Sequence, residues 1–423
     1  MRKRICFLII LVLLMTGLIV SAEETVEITF WHVWSEVDSG PIEARIEEFN
    51  EMQNDIHVKI LGNQDPTKQL TAMSGGNPPD LALTFWNNLG PWSDSGAVLD
   101  LTEYIEKENY NTSNLIPAAL ERMKVDDKYY GLPFTMSIAS KLMYNKDVLA
   151  EAGLSEPPET LEELFDYSKK LTIEEDGKIT QIGFIPDYPW IDNVFWPVIF
   201  GGSFYDEETG EITANSQENI DAIAYQAKFY EEFGEDAISK YRSGMGQRDT
   251  SSDPLVNGEL AMIIGWEYNY AEDRGEDGII GVVDFPYPED RPDLAGSGMV
   301  SPRAIFIPSN AEHKDEAWEL MKYLVSEEAQ INQSIESDTI PTTISALHNP
   351  RLTKNEEVKE LWEFFEAAKD ENLQGFPNSV YINQYLQALT EQTEKALIGD
   401  ISAEEAMNNV KEEIQPLADE ENN

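Results

Sequence analysis

An α/β protein of two domains is what these 423 residues predict, and three observations carry the expectation. Period-two apolar alternation, as in VEITFWH from Val26 to His32, gives way repeatedly to helical spacing, as from Ile42 to Met52. The chain is longer than one hydrophobic core usually serves. Hydrophobic residues make up 41% of it, enough to build sizeable cores despite a formal net charge of −49.

The elements follow in order. Val26 to His32 is a strand, Ile42 to Met52 a helix, Ile56 to Leu61 a strand, Lys68 to Met73 a short helix and Asp80 to Phe85 a third strand. Alternation of this kind predicts a mainly parallel sheet with helices on both faces. From Tyr129 to Thr172 the chain reads as a strand, a helix capped by Asn145 and ended by Gly153, a Pro157-Pro158 break, and a second helix. That helix opens with Thr160 and Glu163 at capping-box spacing. Beyond it come a strand from Gln181 to Ile185, an aromatic segment from Trp190 to Phe200, a hairpin about Asp206 to Gly210 and a helix from Ile220 to Phe233. Asn257 to Trp266 is a turn leading into a buried strand, and Gly281 to Phe285 and Ala304 to Pro308 are further strands. Helices at Ala317 to Val325, Ser326 to Ser334, Glu356 to Asp370, Tyr381 to Ile398 and Ala403 to Leu417 complete the chain, with a frayed tail from Asp419.

The tract YYGLPFTMSIASKLMYNKDVLAEAGLSEPPETLEELFDYSKKLT resembles the crossover segment of extracellular solute-binding proteins that deliver sugars to ABC importers. FWHVW, NPPDLALTF, GGSFYD, NGELAM, AWELMKYLVSEEAQ and IPTTISAL fall in the order and spacing of that family, so the likeness runs along most of the chain. It implies a two-lobe periplasmic-binding-protein fold, type II-like, with hinge strands and a ligand cleft between the lobes. It places residues 23–136 with 300–342 in one lobe and 137–299 with 343–423 in the other, crossing near Met136, Val300 and Thr342. It also implies an ABC transporter permease in the membrane as partner.

Arg2, Lys3 and Arg4 precede an apolar run from Ile5 to Val20, and Val20-Ser21-Ala22 offers small residues for cleavage: a signal peptide over residues 1–22, or else a retained anchor. Secretion to the periplasm or the extracellular space follows. Cys6, the one cysteine, lies inside the apolar run, which argues against a lipoprotein and leaves the remaining chain without disulfides. The acidic balance excludes nucleic acid as a partner, because phosphate binding needs a cationic surface. It also fits a halophilic source, since at molar salt the Debye length falls to about 3 Å and self-repulsion is screened.

Ligands of open parallel sheets bind beyond the carboxyl ends of the strands. That rule selects Trp34, Glu36 and Asp38 after the first strand, Trp86, Asn87 and Asn88 after the third, and Trp266, Glu267 and Tyr268 after the strand ending at Gly265. Gly298 and Met299 precede the second crossing, and Trp190, Asp192 and Trp196 could reach the cleft from the second lobe. Flat rings pack on the C–H faces of a pyranose, and carboxylates and amides hydrogen-bond its hydroxyls. Trp266 is the leading candidate for a stacking ring; Trp34 and Trp86 read equally as platform or core, and Trp31, Trp318 and Trp362 as core. Asp38 reads as surface, and Arg303 as a neutraliser of neighbouring acids.

No G-x-x-x-x-G-K-[ST], H-E-x-x-H or G-x-S-x-G occurs, and His32, His57, His313 and His348 are scattered. The reading is therefore a monomeric saccharide-binding protein with no catalytic residue, metal or cofactor. Two alternatives stay open: a non-sugar solute such as a polyamine or peptide, and a secreted glycosidase using two cleft carboxylates.

Overall fold

The computed structural model describes residues 25–35, 38–188, 193–206, 209–246, 252–267 and 278–421. The leader and the candidates Glu36, Trp190, Asp192 and Tyr268 lie outside the described residues. Among the described residues no helix is long and apolar enough to cross a membrane.

One nine-stranded sheet organises the chain. Its strands are β1 (Val26–Trp31), β2 (Ile56–Leu61), β3 (Leu81–Phe85), β4 (Leu132–Asn145), β5 (Met262–Trp266), β6 (Ile280–Asp284), β7 (Gly298–Phe306), β8 (Ile340–Pro341) and β9 (Leu373–Gln374). The path runs β5-β4-β7-β3-β1-β2, with β6 and β8 also on β4 and β9 on β7. β1 is parallel to β2 and β3, as the alternation predicts, whereas β7 is antiparallel to both β3 and β4. The fourteen residues of β4 therefore serve two α/β halves: its first part pairs with β7 beside β3, its last part with β5 and β6.

Each half has its own apolar filling. Ile28, Phe30, Leu81, Leu83, Leu132 and Trp318 pack together in the first. Leu164, Phe184, Trp196, Phe229 and Ile264 belong to a larger cluster in the second, which continues to Trp86 and Trp92. The halves thus touch through apolar side chains in this arrangement. A further cluster holding Met136, Ile138, Val300, Ile340 and Phe364 lies where the chain is expected to cross. Met136 pairs with Pro302 and Ile340, and Val300 with Ile138, so the expected crossing points stand side by side.

Local chemistry explains the helix starts. Asp65 caps α1 (Pro66–Ser74) through Lys68 N, Asn145 caps α2 (Lys146–Glu151) through Asp147 N and Val148 N, and Thr160 caps α3 (Leu161–Leu171) through Glu163 N. Glu163 reaches back to Glu159 N at 2.8 Å, one residue beyond the usual capping-box donor. Gly153 sits at φ +72°, the left-handed conformation that ends α2.

Three expectations are corrected. Gln181 to Ile185 is not a full strand: Lys178–Gln181 forms a hairpin with Ile173–Glu175, and beyond it one bridge joins Ile182 to Leu260. Glu356 to Asp370 is not one helix: Glu356–Leu361 is a 3-10 segment kinked at Val358 (φ −119°, ψ 23°), and the α-helix is confined to Trp362–Ala367. The tail is not frayed at Asp419. The last helix, Ala403–Glu421, passes Pro416, and Glu421 accepts from Val380 N at 3.5 Å.

Candidate functional site

Parallel β1, β2 and β3 deliver their carboxyl ends to one edge of the sheet. The loops there are laced together: Asn63 N donates to Trp34 O at 2.8 Å, and Gln64 N to His32 O at 3.0 Å. Trp34 is half-buried, its ring centroid 5.9 Å from that of His32 and 6.2 Å from that of Phe134. Trp86 is 4% exposed, with the Arg122 guanidinium 4.0 Å from its ring centroid. One indole face of Trp86 is therefore covered in this arrangement. Asn88 turns back to Thr84 Oγ1 at 3.1 Å, leaving Asn87 as the member of the loop that reaches across.

Asn87 Nδ2 donates to Asn383 Oδ1 at 2.9 Å, joining residues 296 positions apart. Asn383 opens the helix Ile382–Leu397, whose outward face also carries Gln387 and Thr390. Spacings of four and three put these three on one stripe. Asn193 Nδ2 donates to Thr390 Oγ1 at 3.0 Å, so a further amide meets the same stripe. A wall of amides and a hydroxyl thus faces the β3 loop. The sequence reading missed it, although a signal was present: Asn372 to Thr390 is the longest run without a charged residue beyond residue 22.

Trp266 ends β5 opposite Ala139 of β4, and Met299 of β7 faces Ala139 from the other side. Trp266 is 6% exposed and belongs to the main apolar cluster; Met299 is 1% exposed. A Cβ on Gly298 would lie 2.4 Å from the Ser140 Cβ, so glycine there permits the close approach of β7 to β4. Two further groups meet further along β7, where Arg303 pairs with Phe85. Phe85, 37% exposed, carries the Arg303 guanidinium at 4.6 Å, a pairing that the reading of Arg303 as a mere neutraliser did not include.

Glu267 is 1% exposed, and its carboxylate accepts from Ile138 N at 2.9 Å and from the Ser137 side chain. Burial pushes its carboxyl up to about 7, against the lowering effects of those hydrogen bonds and of Arg303. His32 is fully buried and neither ring nitrogen has a hydrogen-bond partner among the described residues, so burial lowers its pKa while Glu43 opposes. A base whose folded pKa lies below its unfolded value binds fewer protons when folded. His32 therefore supports stability above about pH 6.5 that is lost as pH falls through its lowered folded value. Urea midpoints are expected to drop between about pH 7 and pH 5, and less steeply for His32→Leu; parallel slopes would clear His32 of the effect.

A cavity of about 420 Å³ lies elsewhere, lined by Glu121, Asp126, Tyr205, Phe376, Tyr381 and others. Its aromatic wall is packed on itself, Phe204 on Phe376 at 4.6 Å and Tyr385 on Phe376 at 5.3 Å, and no sequence-selected residue lines it. Among the described residues no group of three or more His, Cys, Asp or Glu could hold a metal ion.

Two α/β halves, three adjacent connecting strands and a loop-lined cleft define the class of two-lobe ligand-binding proteins. The chain belongs to the bacterial extracellular solute-binding protein family, whose model matches residues 34–331. It is 26% identical over 340 residues to the maltodextrin-binding protein MdxE of Bacillus subtilis, covering 75% of this chain and 74% of that one. With the galactooligosaccharide-binding protein of the same bacterium it shares 25% over 357 residues, covering 78% and 77%. The mannotriose-bound structure of CpMnBP1 is similar in fold, with a TM-score of 0.75 and 25% identity, covering 92% of this chain and all of that one.

Proposed function

We propose that the protein captures an uncharged oligosaccharide outside the cytoplasmic membrane and passes it to the permease of an ABC importer. The observation that carries the reading is the Asn87–Asn383 bridge, made between an uncharged loop and the uncharged start of a helix in a chain with 79 acidic residues. Amides and hydroxyls satisfy sugar hydroxyls without imposing a charge on the ligand, and a carboxylate wall would instead favour a cation. The sugar-binding names of the relatives support the same choice of solute.

Lobe one comprises residues 23–136 and 300–342, lobe two 137–299 and 343–423, and the protein acts as a monomer. A ligand that touches both Asn87 and the 383–390 stripe gains contacts only when the lobes are together, so it shifts the population toward closure. Residues 1–22 act as the secretion signal. The acidic surface suits high salt, where its self-repulsion is screened.

Titration calorimetry with mannotriose and maltotriose tests the reading, with the saccharide recovered intact. Release of reducing ends would overturn it in favour of hydrolysis. Asn383→Ala and Gln387→Ala are each expected to weaken binding about fivefold to tenfold, the worth of one net hydrogen bond of about 1–1.5 kcal/mol. Unchanged affinity in both variants would move the site off this helix.

A further inference from the structure

Along one edge of β4 the neighbouring strands leave a gap. β5 pairs as far as Ala139, where its register shifts between Gly265 and Trp266, and β8 pairs only with Met136 and Thr135. Among the described residues no strand lies beside Ser137 and Ile138 on that edge, at the level where the chain crosses between lobes. A backbone N–H left bare inside a protein costs about 1–3 kcal/mol. Here the Ile138 N–H is met by the Glu267 carboxylate, the residue immediately after β5, which also accepts from Ser137. The opposite edge is irregular at the same place: β7 shifts register between Pro302 and Ala304, and Arg303 stands at the shift. Irregularities of this kind re-aim strands, and two of them flank the crossing.

We propose that Glu267 is a hinge-positioning residue: its carboxyl group replaces the missing strand over Ser137 and Ile138, and so sets how the two lobes sit on β4. The proposal rests on the hinge-closure reading, and not on which solute is carried. It also reassigns Glu267, whose carboxylate is engaged by the hinge strand, from contacting a ligand to holding the frame that presents one.

Proton dependence follows. The carboxyl is fully buried in this arrangement and pushed up to about 7, so it binds its proton more tightly here than in any arrangement that admits water to it. Proton uptake favours this arrangement, and raising the pH through about 7 disfavours it. Among the described residues the charged group that acts on Glu267 is Arg303 of β7, which pulls the other way; Ser137 and Ile138 of β4 contribute hydrogen bonds.

Two ligand-free readouts test this in a Cys6→Ser background. Spin labels at Met52→Cys and Ile173→Cys, both exposed and in different lobes, report the lobe arrangement by pulsed dipolar spectroscopy. Wild type is expected to change the ratio of its distance populations at least threefold between about pH 5.5 and pH 8.5, and Glu267→Gln to keep the low-pH ratio throughout. Exchange of the Ile138 amide is expected to quicken at least tenfold in Glu267→Ala and to stay near wild type in Glu267→Gln, whose carbonyl oxygen still accepts. A pH response in Glu267→Gln equal to that of wild type overturns the proposal, as does unchanged Ile138 exchange in Glu267→Ala. Mannotriose forms a separate arm. If it leaves the populations unmoved while pH moves them, the saccharide reading fails and the hinge role of Glu267 stands.

Discussion

Trp266→Ala is expected to cost about 3–5 kcal/mol of stability, the range for removing a large buried aromatic side chain. The indole is 6% exposed and packed in the cluster that fills the second lobe, so truncation opens a cavity whatever else the ring does. Binding must therefore be read from a gentler change. Trp266→Leu keeps much of the apolar volume and loses the flat face. If the exposed edge of the indole meets the solute, Trp266→Leu weakens mannotriose binding tenfold or more while urea melting moves far less than in Trp266→Ala. Equal affinity with a lowered melting midpoint would make Trp266 core and nothing else. A stacking ring, as the sequence suggests for Trp266, would cost affinity with little loss of fold on truncation. The packing around β5 makes a loss of fold the larger effect.

Legibility in the sequence follows the range of the forces involved. Caps and breaks were readable because a cap is made within three residues: Asn145 and Thr160 do what their spacing predicts. The parallel opening β1-β2-β3 was readable for a similar reason, since alternation reports burial directly. Nothing local in the sequence gives the role of Asn383. Its partner Asn87 is 296 positions away, and its own helix looks like any amphipathic segment. The clue lay in charge rather than in hydropathy, because a surface stripe without acids is unusual in so acidic a chain. Glu267 was read as facing a ligand because it follows a strand at the right edge, but a register shift turns its side chain onto β4. Such a shift depends on three strands at once, and no local pattern encodes it. The same holds for Arg122, which lies in no motif and yet covers Trp86.

Asp80 shows a motif whose physical role appears only in three dimensions. In NPPDLALTF it reads as the residue that opens a strand, and it does precede β3. Its Oδ2 accepts from Thr29 N at 2.8 Å and from Thr29 Oγ1 at 3.1 Å, while Oδ1 accepts from His313 N at 3.2 Å just before the helix Lys314–Leu324. One carboxylate, 8% exposed, thus ties β1, β3 and a helix from the far end of the chain. Asp80→Ala is expected to lower stability by about 3 kcal/mol or more, because it strands two backbone donors that water reaches poorly. Asp80→Asn, which keeps an acceptor for one side only, should lose roughly half as much. Salt separates this from the general acidity of the chain. Raising potassium chloride screens repulsion between exposed carboxylates and is expected to stabilise wild type and both variants alike. The difference between wild type and Asp80→Ala should persist, since it comes from short buried hydrogen bonds rather than from long-range charge. If molar salt closes that gap, the cost was electrostatic, and the three-way tie at Asp80 is not what holds the first lobe together.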